Sequence, residues 1–200
     1  MTMTLMRIVV TALLLLVLGP VCGALADSDQ RMVEARQKFP ANSFVVMEAK
    51  LFEGDGTTEK RCRTMDVTVT SDQGTTISFL TQELLVFDKA SDKFGGGAVL
   101  PPGTYTVVQI ACESHRYRGR FARFTLQSPQ AINLGCLIVE YRSSPFNPLA
   151  YPTYSGRSRV ADLSPYAVAS LTKRLPTSFA GAVKRYMTPI MGPSSATTAK

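Results

Sequence analysis

The chain has 200 residues, 45% of them hydrophobic and 18% charged, with a formal net charge of +7. This length predicts one domain, large enough to bury a core without a structural metal or a dense disulfide frame. The moderate positive balance suits solubility first. It also favours anionic surfaces such as lipid headgroups or acidic polysaccharide; nucleic acid would fit the charge but not an exported protein.

Export is what the amino terminus predicts. Arg7 supplies a positive start, Ile8 to Leu18 is an apolar run broken only by Thr11, and Gly19-Pro20 ends it. Ala24-Leu25-Ala26 then gives the small-x-small pattern of a signal-peptidase site, so residues 1–26 read as a signal peptide cleaved before Asp27. The run is too short to span a bilayer, which takes about 20 apolar residues. No second run of that length follows, so no transmembrane helix is expected in the mature chain. Cys22 raises the alternative of a lipidated leader, but Val21 is a poor residue to precede a lipidation site. Losing residues 1–26 removes one basic residue and no acid, and leaves a charge of +6.

Residues 27–42 predict a short helix and linker, with Ser28 as N-cap, Met32, Val33, Ala35 and Phe39 as apolar positions, and Pro40 as the stop. From Ser43 the texture is β. Phe44–Phe52, Met65–Thr70, Thr76–Leu80, Glu83–Phe87, Thr104–Cys112, Phe121–Leu126 and Ile132–Tyr141 are rich in Val, Ile, Thr, Phe and Tyr. Turn residues separate them, among them Gly54-Asp55-Gly56, Asp72-Gln73-Gly74, Gly95-Gly96-Gly97, Pro101-Pro102-Gly103 and Ser128-Pro129. Short strands at near-regular spacing predict a mainly β fold, an antiparallel β-sandwich of prealbumin or Ig-like type over residues 43–141. Met65-Asp66-Val67-Thr68-Val69-Thr70 alternates strictly, as on a strand with one wet face. Val108, Ile110 and Cys112 share one face of their strand, and Leu134–Val139 is apolar on both faces, as in a central strand.

Residues 142–162 carry Pro145, Pro148, Pro152, Tyr151 and Tyr154 and read as a packed loop with one edge strand. Residues 163–188 predict two C-terminal helices. Ser164 caps the first, with Pro165 at its first position, running to about Arg174. Pro176 begins the second, through Lys184 and Arg185 to Met187. Their apolar set is Tyr166, Ala169, Leu171, Leu175, Phe179, Val183 and Met187, which packs on the sandwich or docks on a partner or membrane surface. Residues 189–200 read as a disordered tail.

After cleavage the cysteines are Cys62, Cys112 and Cys136. In an oxidising compartment three thiols predict one bridge and a remainder. Neighbouring antiparallel strands favour Cys62–Cys112, with Cys112–Cys136 and Cys62–Cys136 open as alternatives.

The stretch Leu100-Pro101-Pro102-Gly103-Thr104-Tyr105-Thr106-Val107 resembles a turn and strand of transthyretin-like and carboxypeptidase-regulatory-like β-sandwich domains. Phe124-Thr125-Leu126 and Ile132-Asn133-Leu134-Gly135 look like the closing strands of the same unit. The whole chain is also similar to exported proteins of Gram-negative bacteria. The resemblance implies a sandwich used as an accessory, binding or structural module, and it carries no functional residue with it.

Chemistry-bearing patterns are sparse. His115 is the only histidine, and Cys112-Glu113-Ser114-His115 places two soft ligands near each other. A structural zinc site needs four such ligands, and a bridge through any of the cysteines removes the set. There is no G-x-S-x-G elbow, and Gly95-Gly96-Gly97 lacks the Lys and helix of a phosphate loop. The expectation is therefore a non-catalytic envelope protein without cofactor or metal, the alternative being an enzyme or metal-binding protein using Cys112 and His115. The anion-binding candidates are Arg116, Arg118, Arg120 and Arg123. In an extended segment Arg116, Arg118 and Arg120 share one face with Tyr117 and Phe121 on the other. Guanidinium groups so arranged hold phosphates or sulfates bidentately, and the partner expected is an anionic envelope glycolipid or an envelope protein. The blander reading is a solvated hairpin whose charges deter edge pairing.

Overall fold

The computed structural model describes residues 19–54, 56–62, 65–80, 93–94, 97–143, 153–190 and 196–197. The expected leader run Ile8–Leu18, the strand Glu83–Phe87, Gly95-Gly96 and the loop prolines Pro145, Pro148 and Pro152 lie outside the described residues.

The described helices are α1 (Gly19–Lys38), α2 (Pro165–Arg174) and α3 (Pro176–Phe179). The early strands are β1 (Ser43–Glu53), β2 (Met65–Ser71), β3 (Thr76–Leu80), β4 (Lys93–Phe94), β5 (Gly97–Leu100) and β6 (Gly103–Cys112). The later ones are β7 (His115–Leu126), β8 (Ala131–Ser143), β9 (Thr153–Ala161), β10 (Val183–Lys184), β11 (Thr188–Pro189) and β12 (Ala196–Thr197). They form two sheets. Sheet A runs β12-β9-β8-β1-β5-β4 with β10 also on β8, and sheet B runs β11-β7-β6-β2-β3. The fold is the expected mainly β sandwich with an N-terminal helix and two C-terminal ones. The pairing is not wholly antiparallel, because β8 lies parallel to both β1 and β10.

Alternation decides which residues meet between the sheets. Val45, Met47 and Leu51 of β1 face Val67 and Val69 of β2, Val107 and Ile110 of β6 and Phe124 of β7 in one core. Each such side chain contributes about 1.5–3 kcal/mol by leaving water. Tyr105 closes the turn that precedes its strand: its hydroxyl donates to the Pro101 carbonyl (2.8 Å), and its ring stacks on Phe124 at 5.3 Å. The outward residues of β1, Phe44 and Val46, lie under the helices with Met32, Ala131, Leu163, Ala167, Leu171 and Leu175. The C-terminal helices therefore dock on sheet A.

Several boundaries depart from the sequence reading. Helix α1 starts at Gly19, so Ser28 lies inside it and not at its start. Ser164 does cap α2, accepting from the Ala167 amide (3.2 Å). The buried residues of α2 are Ala167 and Leu171, continued at a spacing of four by Leu163 just before the helix; Tyr166 and Ala169 face solvent, Tyr166 at 76% exposure. The second helix ends at Phe179, not Met187, because Ala182 onward is drawn into strand pairing. Val183 and Lys184 pair with β8, Met187 drops into the sandwich core, and Thr188-Pro189 pair with β7. The segment thus straps one side of the sandwich, and β12 pairs with β9 within the stretch expected to be a disordered tail. Asp29 ties α1 to this end of the chain, accepting from the Thr177 and Ser178 amides at 2.7 and 2.9 Å.

Candidate functional site

The arginine segment lies on β7, and a bulge decides its geometry. In β6, Gln109 pairs with Arg118 and Val107 with Ala122, so Gly119, Arg120 and Phe121 stand opposite Val108 alone. Between β2 and β6 the register also shifts at Val108. Two consequences follow. The inward set of β6 becomes Tyr105, Val107, Ile110 and Cys112, with Val108 half-buried instead of sharing the face of Ile110 and Cys112. On β7 the alternation resets, so that Tyr117, Phe121, Ala122 and Phe124 are all buried while Arg116, Arg118, Arg120 and Arg123 are all exposed. Without the bulge, Arg123 would share the inward face with Tyr117 and Phe121.

The four arginines are not equivalent. Arg123 donates to the Asp72 carboxylate in an ion pair of 2.8 Å. Arg118 donates through Nε to Gln109 Oε1 (3.3 Å), and Gln109 Nε2 donates to Thr68 Oγ1 (3.4 Å). Thr68 in turn meets Ser78 Oγ at 3.2 Å. A hydrogen-bonded row therefore runs across β3, β2, β6 and β7 and ends on a guanidinium. Parallel to it are Thr70–Thr76 (3.3 Å) and Thr104–Thr125 (3.0 Å). The alternation of Met65–Thr70 announces Thr68 and Thr70 as outward residues, but nothing local shows that Gln109 stands beside Thr68 and Arg118.

The cysteines resolve into Cys62–Cys112, with Cα atoms 5.3 Å apart. Cys136 is free and buried. It sits on the far face of sheet A from the core, opposite Glu48 of β1, which rules out the two alternative pairings. Burial, then the Glu48 carboxylate, push its thiol up to about 12. Glu48 accepts from the Ser164 amide (2.7 Å) and hydroxyl (2.9 Å), joining β1 to the start of α2.

Cys112 and His115 face each other across the two-residue turn of the β6–β7 hairpin, with Glu113 at φ 55°. Since the Cys112 sulfur is bonded to Cys62, the pair presents an exposed imidazole and no thiolate. Among the described residues no group of three or more His, Cys, Asp or Glu side chains is placed to hold a metal ion.

A second cluster closes the sandwich end beside the disulfide. The chain leaving β1 folds back on it, with Lys60 N donating to Leu51 O (2.8 Å). Lys60 Nζ donates to the Tyr117 hydroxyl (3.1 Å) and lies 5.7 and 5.6 Å from the Tyr117 and Tyr141 ring centres. Burial, then the neighbouring Tyr117, push the Tyr141 hydroxyl up to about 12. The cluster anchors the β1–β2 crossing, and the sequence holds no sign of it beyond the aromatic residues themselves.

Among the described residues no helix is long and apolar enough to cross a membrane. What fold and site define together is a disulfide-bridged, mainly β sandwich with one helix-covered face and one polar, arginine-bearing face. Comparison with models of protein families, with curated proteins and with solved structures finds no match.

Proposed function

We propose that the protein is a non-catalytic, exported module of the cell envelope that binds an anionic envelope group, a glycolipid headgroup being the expected kind, through Arg116, Arg118 and Arg120. The transthyretin-like sandwich is its scaffold and the periplasm or extracellular space its location. The observation that carries this reading is the exposure of these guanidinium groups on one strand of a face that no described helix covers. Among the described residues none of the three has an ion-pair partner of the kind that occupies Arg123. The leader and the Cys62–Cys112 bond support export, since such bonds persist in oxidising compartments.

Two measurements test it. The mass of the protein recovered from cells should correspond to a chain starting at Asp27, in the periplasmic or envelope fraction. Replacing Arg116, Arg118 and Arg120 with Ser should release the folded protein from the envelope fraction. An unprocessed chain in the cytosol would overturn the export reading, and undiminished envelope association of the variant would overturn the arginine site.

A further inference from the structure

We infer that the outer face of sheet B is a docking surface for an acidic glycan, a chain of sugars bearing carboxylate, sulfate or phosphate groups. This rests on the arginine site proposed above and names the chemistry of its ligand. The helices cover the outer face of sheet A through Met32, Leu163, Ala167 and Leu171. Sheet B instead presents the half-buried Thr70, Thr104 and Gln109 and the exposed Thr125 and arginines, with Thr68 and Thr106 buried among them.

Charge complementarity selects an anion. Among the described residues, the carboxylates on this face and its β2–β3 turn are Asp66 and Asp72, and Asp72 is paired with Arg123. Arg118 ends the hydrogen-bonded row, Arg116 lies beyond it on the side of Asp66, and Arg120 lies between it and Arg123. Arg116 and Arg118 are alternate residues of one strand, about 6.8 Å apart along it, and each offers the planar fork that matches a carboxylate, sulfate or phosphate. Gln109 holds Arg118 by its Nε and is itself held by Thr68. That leaves the terminal nitrogens of Arg118 oriented before a ligand arrives, and preorganisation of this kind lowers the ordering cost of binding.

What the face lacks separates a glycan from other anions. Among the described residues the exposed large hydrophobic side chains are Phe39, Tyr166, Val168, Val183 and Tyr186, all outside sheet B. Among the residues whose exposure is described, this face thus holds no exposed large apolar anchor to enter a bilayer and no exposed aromatic ring on which a base would stack. Rows of hydroxyl and amide groups, by contrast, match sugar hydroxyls.

Binding of oligogalacturonate, dextran sulfate, neutral dextran and phosphatidylglycerol vesicles to the purified protein tests the inference. The acidic glycans should bind and neutral dextran should not. The Arg116→Lys, Arg118→Lys double variant keeps the charge and loses the forks, so it should bind the acidic glycans about tenfold more weakly. Gln109→Ala should weaken them several-fold with the disulfide and thermal midpoint unchanged. Equal binding by the lysine variant, or binding to vesicles without binding to either acidic glycan, would overturn the glycan surface and leave the anion site standing. Failure to bind any anion would overturn both.

Discussion

Replacing Cys62 and Cys112 with Ser, or reducing their bond, should lower stability by an amount set mainly by the loop it closes. The cysteines are 50 residues apart in sequence. Chain entropy for a loop of that length corresponds to about 4 kcal/mol at 25 °C. In a domain of this size each kcal/mol moves the thermal midpoint by roughly 2–4 °C, so the fall should be about 8–16 °C. A smaller contribution comes from the segment the bond fastens. Lys60, two residues from Cys62, loses part of its hold on Tyr117 and Tyr141, a cation–π interaction of about 0.5–2 kcal/mol. Calorimetry of the native, reduced and doubly substituted proteins measures the effect, and the last two should melt together. Alkylation gives the connectivity independently. Of Cys62, Cys112 and Cys136, only Cys136 should be labelled after unfolding without reductant, and none in the folded protein at pH 8, where a thiol pushed up to about 12 stays protonated and buried. A fall of less than about 3 °C, against the about 4 kcal/mol expected, would refute the loop-closure argument. Labelling of Cys112 would refute the bond.

Other expectations follow from single contacts. Glu48→Ala removes the acceptor for the Ser164 amide and hydroxyl, and at about 1.5–3 kcal/mol for each of these two hydrogen bonds to a charged group should cost about 3–6 kcal/mol by urea denaturation. Burial works to raise the Asp29 carboxyl, but hydrogen bonds from Ser178 and Thr177 outweigh it and hold it below its ordinary value. With the folded value depressed, its contribution is present above the unfolded value of about 3.9 and is lost as pH falls through the folded one. The stability gap between wild type and Asp29→Asn should therefore be widest above about pH 5 and close in more acid solution; a gap that widens on acidification would contradict this. Gly135 sits at φ 83° on the β8 bulge, where an added Cβ would lie 2.5 Å from the Ala161 carbonyl oxygen. Gly74, at φ 85°, has nothing within 4 Å of that position. Gly74→Ala should cost only the left-handed penalty of about 1–2 kcal/mol, and Gly135→Ala clearly more, by thermal melts of the two variants.

Local order carried some of this structure in the sequence. Met65, Val67 and Val69 of β2 face the core and the polar residues between them face away from it, and that alternation is legible in six residues. Ser164-Pro165 announces a helix start because its cap needs only the next three residues. The preference for Cys62–Cys112 also needed little more than two strands placed side by side. The parallel pairing of Phe44 with Ala131, the strap from Val183 to Pro189 and the burial of Met187 required the assembled sandwich. Their partners are distant in the chain, and a two-residue strand has no period to read. The candidate site divides the same way. That Arg116 and Arg118 would stand outward on an extended segment is a property of the strand itself. That Arg123 joins them, that Asp72 neutralises it, and that Gln109 aims Arg118 were decided by the bulge at Val108 and by β2, β6 and β7 lying side by side. A strand fixes which way its side chains point, but only the sheet fixes what they meet.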